Sequence, residues 1–337
     1  MKFRLLGRTG LKVSCIGFGA LPLPALNQDD ANEVLNEAIN RGINFIDTAR
    51  GYRESEQLIG NAIHHRRNEY YLATKTRARE ETGIKRELET SLKMLKTDYI
   101  DLYQIHYVNT YEELKYVLSK KGALDTIKKY QSEGTIKHIG ITGHDASVLL
   151  KAAQTGMFDT IQGAFSFLEN EEKILKLIEY CNNNNIGFIV QKPLAGGAIR
   201  PASAGLKWIL QHPVSTVIPG MISTAQVIEN TGIADTDYTL SSDEYEKLKS
   251  IKDSLDKYFC RRCYYCHPVC PENIRIGVIL EFYGKAQFPE NLEVYRRFYR
   301  SLEVKADACT ECGLCESECP YGLPIVELLK SAHKLLG

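Results

Sequence analysis

At 337 residues the chain is longer than most single domains, so it can bury a large core and still carry a second, smaller unit. Its 42 Lys and Arg balance 42 Asp and Glu, so no overall field draws it to nucleic acid or an anionic membrane, and partners must be recognised locally. No apolar run is long enough to span a bilayer and no basic leader precedes a small-residue cleavage site, so a soluble, cytoplasmic protein is expected, with no membrane or nucleic-acid partner. Eight of the ten cysteines lie in two clusters that need free thiolates, which fits a reducing compartment.

Residues 1–12 read as a hairpin with Gly7 and Gly10 in its turn, followed by a strand near Val13–Gly19. Asp29–Arg41 has helical periodicity, and Gly42 fits its stop. Helices are then expected at Ser55–Arg66, Ile84–Leu95, a long segment around Tyr111–Ser132, Ala146–Gln154 and Glu171–Asn182. Short apolar runs separate them, among them Ile136–Thr142, Thr160–Ala164, Gly187–Val190 and Thr216–Ile218. With the first strand and three earlier runs at 43–47, 69–75 and 99–106, this makes eight strands alternating with helices, an α/β fold of the (β/α)8 TIM-barrel type. The tetra-Asn run 182–185 is read as a polar loop. Ser241–Lys257, opened by Ser241-Ser242-Asp243-Glu244, reads as the helix that ends the barrel, which gives domains of 1–257 and 258–337.

Within this pattern, Ile43-Asn44-Phe45-Ile46-Asp47 is an apolar run ending in an acid, with Tyr52 five positions later. Lys75 and His106 end the next two runs at successive intervals of about 30 residues, the length of one strand, one crossover helix and two loops. All four side chains should reach the carboxyl-end rim of adjacent strands. There a phenol beside an ammonium has a stabilised phenolate and becomes a usable general acid. Asp47 would hold and charge-balance Lys75, and His106 would orient a carbonyl for hydride attack. Each residue also has an ordinary use: Asp47 as a helix cap, Lys75 as a solvated charge, His106 as a strand-end histidine, Tyr52 as one of 19 tyrosines. Four matched positions at barrel spacing weigh against that reading.

The motifs Asp47-Thr48-Ala49 with Tyr52, Leu72-Ala73-Thr74-Lys75 and Asp101-Leu102-Tyr103-Gln104-Ile105-His106 resemble those of the aldo-keto reductases, as does the opening Leu6-Gly7-Arg8-Thr9-Gly10-Leu11-Lys12-Val13-Ser14. The resemblance covers about the first three quarters of the chain. It implies that Asp47, Tyr52, Lys75 and His106 are a catalytic tetrad. It also implies that NADP or NAD is contacted by Thr142, Gln162, Lys192, Leu194, Gly196, Pro219, Gly220, Met221, Gln226, Glu229 and Asn230. Glycines in these loops let backbone amides approach phosphate, and a helix starting near Ser223 adds its N-terminal dipole. The chain departs from the family pattern at Gly143, where many members carry an Asn on the carboxamide, and at Gln191, where an aromatic ring often stacks. Gly220 and Gln226 replace the Lys and Arg that many NADPH-specific members place on the 2′-phosphate. NADH, weaker NADPH binding and another electron carrier therefore stay open.

Cys260, Cys263, Cys266 and Cys270-Pro271 have the spacing of bacterial ferredoxins, and Cys309, Cys312, Cys315 and Cys319-Pro320 repeat it. Two [4Fe-4S] clusters are expected in a ferredoxin-like α+β domain. The ligand sets would be Cys260, Cys263, Cys266 with Cys319 and Cys309, Cys312, Cys315 with Cys270, because the fourth Cys ligates the other cluster. Two zinc knuckles would not explain the third cysteine or the trailing Cys-Pro. Cys15 and Cys181 lack partners at useful spacing and are read as core thiols. This half has little apolar sequence, so the clusters are expected to staple it. Its Tyr295-Arg296-Arg297-Phe298-Tyr299-Arg300 stretch reads as a helix with a packed aromatic side and solvated arginines, a surface that could dock an acidic redox protein.

A hydride carries two electrons and each cluster passes one, so coupling needs both clusters or an intermediate such as a flavin, for which no clear motif is present. The leading expectation is an oxidoreductase interconverting a small-molecule carbonyl and alcohol, its clusters exchanging electrons with a soluble redox protein. The alternatives are an NAD(P)H carbonyl reductase with structural clusters only, and a non-catalytic electron-transfer or redox-sensing subunit. Arg261 and Arg262 flank the first cysteine motif while Glu311, Glu316 and Glu318 lie in the second. Positive charge favours the reduced cluster, so potentiometry on Arg262→Glu should find the higher of two potentials lowered.

Overall fold

The computed structural model describes residues 1–169, 172–255, 259–260, 266–287, 289–319 and 321–337. Strands β1 (Phe3–Leu5) and β2 (Lys12–Ser14) form an antiparallel hairpin. A Cβ on Gly7, at φ +53°, would stand 2.2 Å from the Gly187 nitrogen, so the turn can press on that backbone only with glycine there. The hairpin runs to Ser14, two residues beyond the expected end, and the predicted Val13–Gly19 strand is split between it and the first barrel strand.

The barrel strands are β3 (Phe18–Gly19), β4 (Phe45–Asp47), β5 (Tyr71–Thr76), β6 (Ile100–Ile105), β7 (Ile136–Thr142), β8 (Thr160–Ala164), β9 (Gly187–Gln191) and β10 (Thr216–Val217). They pair in parallel in sequence order, and the bridges Ile16 to Val217 and Gly19 to Gly220 close the ring. Around it run α1 (Gln28–Asn40), α2 (Ser55–Ile63), α3 (Glu81–Leu95), α4 (Tyr111–Val117), α5 (Ala123–Ser132), α6 (Ala146–Gln154), α7 (Glu172–Asn183), α8 (Ala202–Leu210) and α9 (Thr224–Gly232). The long helix expected over Tyr111–Ser132 is two helices. A Cβ on Gly122 would lie 2.1 Å from the Tyr116 carbonyl oxygen, so the chain folds back tightly here. The expected Ser55–Arg66 helix stops at Ile63 and continues as a 3-10 turn, His64–Glu69.

Inside the barrel, Leu6 and Val13 of the hairpin pack with Phe45, Ala73, Leu102 and Ile189 in an apolar layer. Side chains two residues apart share a strand face. One step up from Phe45, Ala73 and Leu102 the inward positions are therefore Asp47, Lys75 and Gln104. The interior changes from apolar to polar in that step, and the site begins there.

The chain divides into two compact units, residues 1–194 with 201–241, and residues 195–200 with 242–337. Among the described residues, the second unit holds α10 (Ser242–Leu255), α11 (Ile276–Ala286), α12 (Leu292–Arg300), α13 (Leu314–Ser317) and α14 (Ile325–Leu336). Its own core includes Ile279, Leu280, Tyr299, Leu328, Leu329 and Ala332. This corrects the expectation of scarce apolar sequence, because short helices collect these residues from both sides of the cysteine motifs. Tyr299 on α12 is fully buried; its hydroxyl accepts from the Ala306 amide at 2.9 Å and pairs with His333 Nδ1 at 2.8 Å. The aromatic side of α12 packs and Arg297 is exposed, as expected, but Arg296 and Arg300 are not simply solvated. Arg296 donates to the Leu335 carbonyl at 3.0 Å and Arg300 to that of Gly337 at 2.9 Å, which satisfies carbonyls at the end of α14.

Tyr299→Phe should strand the buried Ala306 amide and cost about 1–3 kcal/mol. Thermal unfolding of the full-length protein followed by circular dichroism should show a lowered midpoint for the second unit's transition.

Candidate functional site

Asp47 ends β4 and Lys75 lies near the end of β5; their side chains are 2% and 0% exposed. Lys75 Nζ donates to Asp47 Oδ1 at 2.6 Å and to the Thr48 carbonyl at 2.7 Å. The other Asp47 oxygen accepts from Gln104 Nε2 at 3.1 Å, which also donates to Gln162 Oε1 at 2.9 Å. Strands β4, β5, β6 and β8 are thus joined by one buried polar chain. Burial opposes charge on Lys75, but Asp47 and Tyr52 outweigh it and hold the ammonium above its ordinary range. Burial raises the Asp47 carboxyl above its ordinary range, and the Lys75 ammonium, with Gln162 and Gln104, opposes that rise.

Tyr52 arrives on the β4–α2 loop. That loop is fixed by Arg50, which ion-pairs with Glu56, and by Ser55, whose hydroxyl donates to the Ala20 carbonyl at 3.0 Å. Glu56 is fully buried and also accepts from Thr74 at 2.6 Å, so one carboxylate ties the Tyr52 loop to the strand bearing Lys75. The Lys75 Nζ lies 4.9 Å from the Tyr52 ring centroid, and the Tyr52 and His106 rings meet edge-on at 5.7 Å. The four residues predicted from the sequence are therefore neighbours. The phenol differs from expectation in one respect. Lys75 does pull its pKa down, but burial is the larger effect and the net position is above the ordinary value. His106 is pushed down to about 2 by burial and by Lys75, Arg77 and Arg79, so its imidazole is neutral; its buried Nδ1 has no hydrogen-bond partner among the described residues.

Gln104 went unremarked in the sequence although it stands two residues before His106 and so shares its strand face. Glu56 and Arg50 left no such signal, because their roles depend on a loop returning to its own helix.

The residues expected to contact a nicotinamide cofactor divide into several groups. Gln162 belongs to the polar chain above, and Thr142 Oγ1 accepts from the Tyr107 amide at 3.1 Å. Lys192 has φ +54° and Leu194 packs on the barrel core, whereas Gly196 lies in the six-residue loop that clusters with the second unit. The Pro219 carbonyl accepts from the Gly19 amide at 3.0 Å, and Gly220 sits where a Cβ would meet Pro22 at 2.8 Å. Met221 is fully buried in the barrel core. The Gln226 amide oxygen is taken by the Ile222 amide at 2.8 Å, and Glu229 is exposed. Asn230 fits a bound group best: it is 2% exposed and its Oδ1 has no partner among the described residues. A Cβ on Gly143 would stand 2.3 Å from the Val108 carbonyl oxygen, so no side chain fits, and Gln191 Nε2 donates to the Gly143 carbonyl at 2.8 Å. The two departures from the family pattern are one hydrogen-bonded unit.

In the second unit, Cys270, Cys309, Cys312 and Cys315 line a single cavity backed by Ile274, Ile276, Val326 and Leu329. Residues of both cysteine motifs thus meet at one cavity, although among the described residues no three of their side chains stand close enough together to hold a metal ion. Of the other expected set, Cys266 is buried and Cys260 and Cys319 are half-buried, while Cys263 lies outside the described residues, as do Arg261 and Arg262. Glu311 pairs with Lys330 at 2.7 Å, and Glu316 accepts from the Val326 amide at 2.8 Å. Cys15 and Cys181 are both buried in the barrel core, and burial pushes the Cys181 thiol up to about 12.

Among the described residues no helix is long and apolar enough to cross a membrane. Comparison with known proteins matches residues 15–204 to the Aldo/keto reductase family and residues 259–323 to a 4Fe-4S dicluster domain. L-galactose dehydrogenase of Arabidopsis thaliana is 29% identical over 306 residues, covering 76% of this chain and 95% of that protein. The uncharacterised oxidoreductase YqkF of Bacillus subtilis is 30% identical over 214 residues, 59% of this chain and 67% of its own. The holo-form structure of aldo-keto reductase AKR11C1 from Bacillus halodurans superposes with a TM-score of 0.64 at 25% identity, covering 74% of this chain and 96% of that one. The chain belongs to the aldo/keto reductase family of oxidoreductases and carries a 4Fe-4S domain of the dicluster type at its C-terminal side.

Proposed function

We propose that the barrel interconverts a carbonyl and an alcohol using NAD(P)H, with Tyr52 as general acid and base, and that two [4Fe-4S] clusters exchange electrons with a soluble redox protein. The observation that carries this reading is a buried, charged Lys75 held by Asp47 at 2.6 Å beside a partly buried phenol. The chemistry expected of a bound nicotinamide is transfer of a hydride to the carbonyl carbon, and that of the clusters is transfer of single electrons.

In reduction, the neutral His106 imidazole donates a hydrogen bond to the carbonyl oxygen and aims it at Tyr52. The phenol delivers its proton as negative charge develops on that oxygen. Lys75 stabilises the phenolate left behind, and Asp47 keeps Lys75 an ammonium throughout. Oxidation of an alcohol runs the same groups in reverse, the phenolate accepting the proton. Gln162, Pro219-Gly220 and Asn230 would hold the nicotinamide dinucleotide, the unpartnered Asn230 oxygen serving as an acceptor for its adenine amino group. The ligand sets would be Cys260, Cys263, Cys266 with Cys319, and Cys309, Cys312, Cys315 with Cys270, the latter supported by the shared cavity.

Tyr52→Phe in anaerobically purified protein should lower kcat for carbonyl reduction about 100-fold or more, the scale of a lost general acid. Full turnover by this variant would remove Tyr52 from the mechanism. Because burial raises the phenol and lowers His106, wild-type reduction should hold a plateau from near-neutral pH to beyond the ordinary tyrosine range, with no histidine limb. Electron exchange has its own test. Anaerobic NAD(P)H should bleach the visible absorption of the oxidised clusters, and carbonyl turnover at full rate without bleaching would make the clusters structural.

A further inference from the structure

We infer that the barrel pocket takes an anionic carbonyl compound, whose carboxylate or phosphate oxygens the Arg77 guanidinium recognises; this rests on the carbonyl chemistry proposed at Tyr52. Strand β5 ends at Thr76, and side-chain alternation places Arg77 on the same face as Lys75, at the rim just beyond the buried ammonium. Its neighbour Arg79 is already occupied, donating to the His106 carbonyl at 2.8 Å and the Arg77 carbonyl at 3.0 Å. It pins the chain beside His106. Arg77 is exposed, and its guanidinium lies 5.1 Å from the Tyr107 ring centroid. Among the described residues it has no ion pair or side-chain hydrogen bond.

The nearby carboxylates are committed elsewhere. Glu87 accepts from Thr76 Oγ1 at 2.6 Å, Glu113 from the Asn109 amide at 2.7 Å, and Asp47 holds Lys75. Tyr107, which seats the guanidinium, directly follows His106, so the free cation stands next to the expected carbonyl position. Its field reaches the site, lowering both Tyr52 and His106 after the larger effects of burial and of Lys75. Asp47 neutralises Lys75, and the exposed Arg77 charge at the rim can draw in an anion. A planar guanidinium suits the paired oxygens of carboxylate or phosphate. Those oxygens could belong to the substrate or to the nicotinamide cofactor, and the inference commits to the substrate.

The test is calorimetric binding of 4-carboxybenzaldehyde and of its methyl ester to the full-length, anaerobically purified protein saturated with NADP(H), in wild type, Arg77→Gln and Arg77→Lys. The acid should bind about tenfold or more tightly than the ester, as expected for one charge-assisted contact. Arg77→Gln should abolish that preference, Arg77→Lys should keep part of it, and salt should weaken it. Equal affinity for acid and ester in wild type would overturn the inference, as would a preference that survives Arg77→Gln. Weakened NADPH binding in Arg77→Gln with the acid preference intact would assign the guanidinium to the cofactor and also overturn it. Acid preference without turnover of either aldehyde would leave this inference standing and remove the carbonyl chemistry, whereas turnover without preference would do the opposite.

Discussion

The barrel site depends on one buried ion pair. An ammonium with no solvent exposure is tolerated only with a counterion and further hydrogen bonds, and Lys75 has both in Asp47 and the Thr48 carbonyl. Removing either member would strand the other, at a cost of about 3–5 kcal/mol for a pair of this kind. Two well-packed apolar side chains would serve the fold equally well, since the layer of Phe45, Ala73 and Leu102 directly below is built that way. Stability therefore does not explain the pair. The proposed chemistry accounts for it by placing a charge beside the Tyr52 phenol.

The same pair explains how far the site could be read from sequence. Asp47, Lys75 and His106 recur at the interval of one βα unit, and strand periodicity sends them inward, so spacing alone brings them together. Gln104 carries the same periodicity but no charge, and it drew no notice until its amide was found between Asp47 and Gln162. Glu56 is the opposite case. In sequence it is an acid in the first turn of a helix, where acids are ordinary. Only the return of the loop makes it a buried bridge between Arg50 and Thr74. The split of the expected Tyr111–Ser132 helix turned on the approach of Gly122 to the Tyr116 carbonyl, a contact that periodicity does not encode. The apolar core of the second unit was overlooked for a related reason. Its residues come from three short helices on either side of a cysteine motif, so no single stretch looks hydrophobic.

That core changes the part the cysteines play in the second unit. Tyr299 is buried within it and fixes the Ala306 amide, three residues before Cys309. The loop that begins the second cysteine motif is thereby held by protein contacts. Cys270, from the first motif, lines the same cavity as Cys309, Cys312 and Cys315. Ferredoxin spacing leads to the expectation that the fourth cysteine of each motif serves the other motif's cluster. On that reading each cluster joins two distant segments, adding its constraint to a core that already exists.

Charge around the barrel pocket also bears on which group handles the proton. An imidazole pushed down to about 2 cannot supply a proton at any working pH, although it can still donate a hydrogen bond. Lys75 and Arg77, which contribute to that depression, also pull the phenol down by stabilising its charged form, but burial outweighs them and leaves it above its ordinary value. A phenol that stays protonated until a neighbouring oxygen becomes basic, and whose conjugate base then faces an ammonium, is suited to give its proton late in the reaction. In the proposed chemistry, the arrangement of the same few charges separates two roles: His106 would orient the carbonyl, and Tyr52 would transfer the proton.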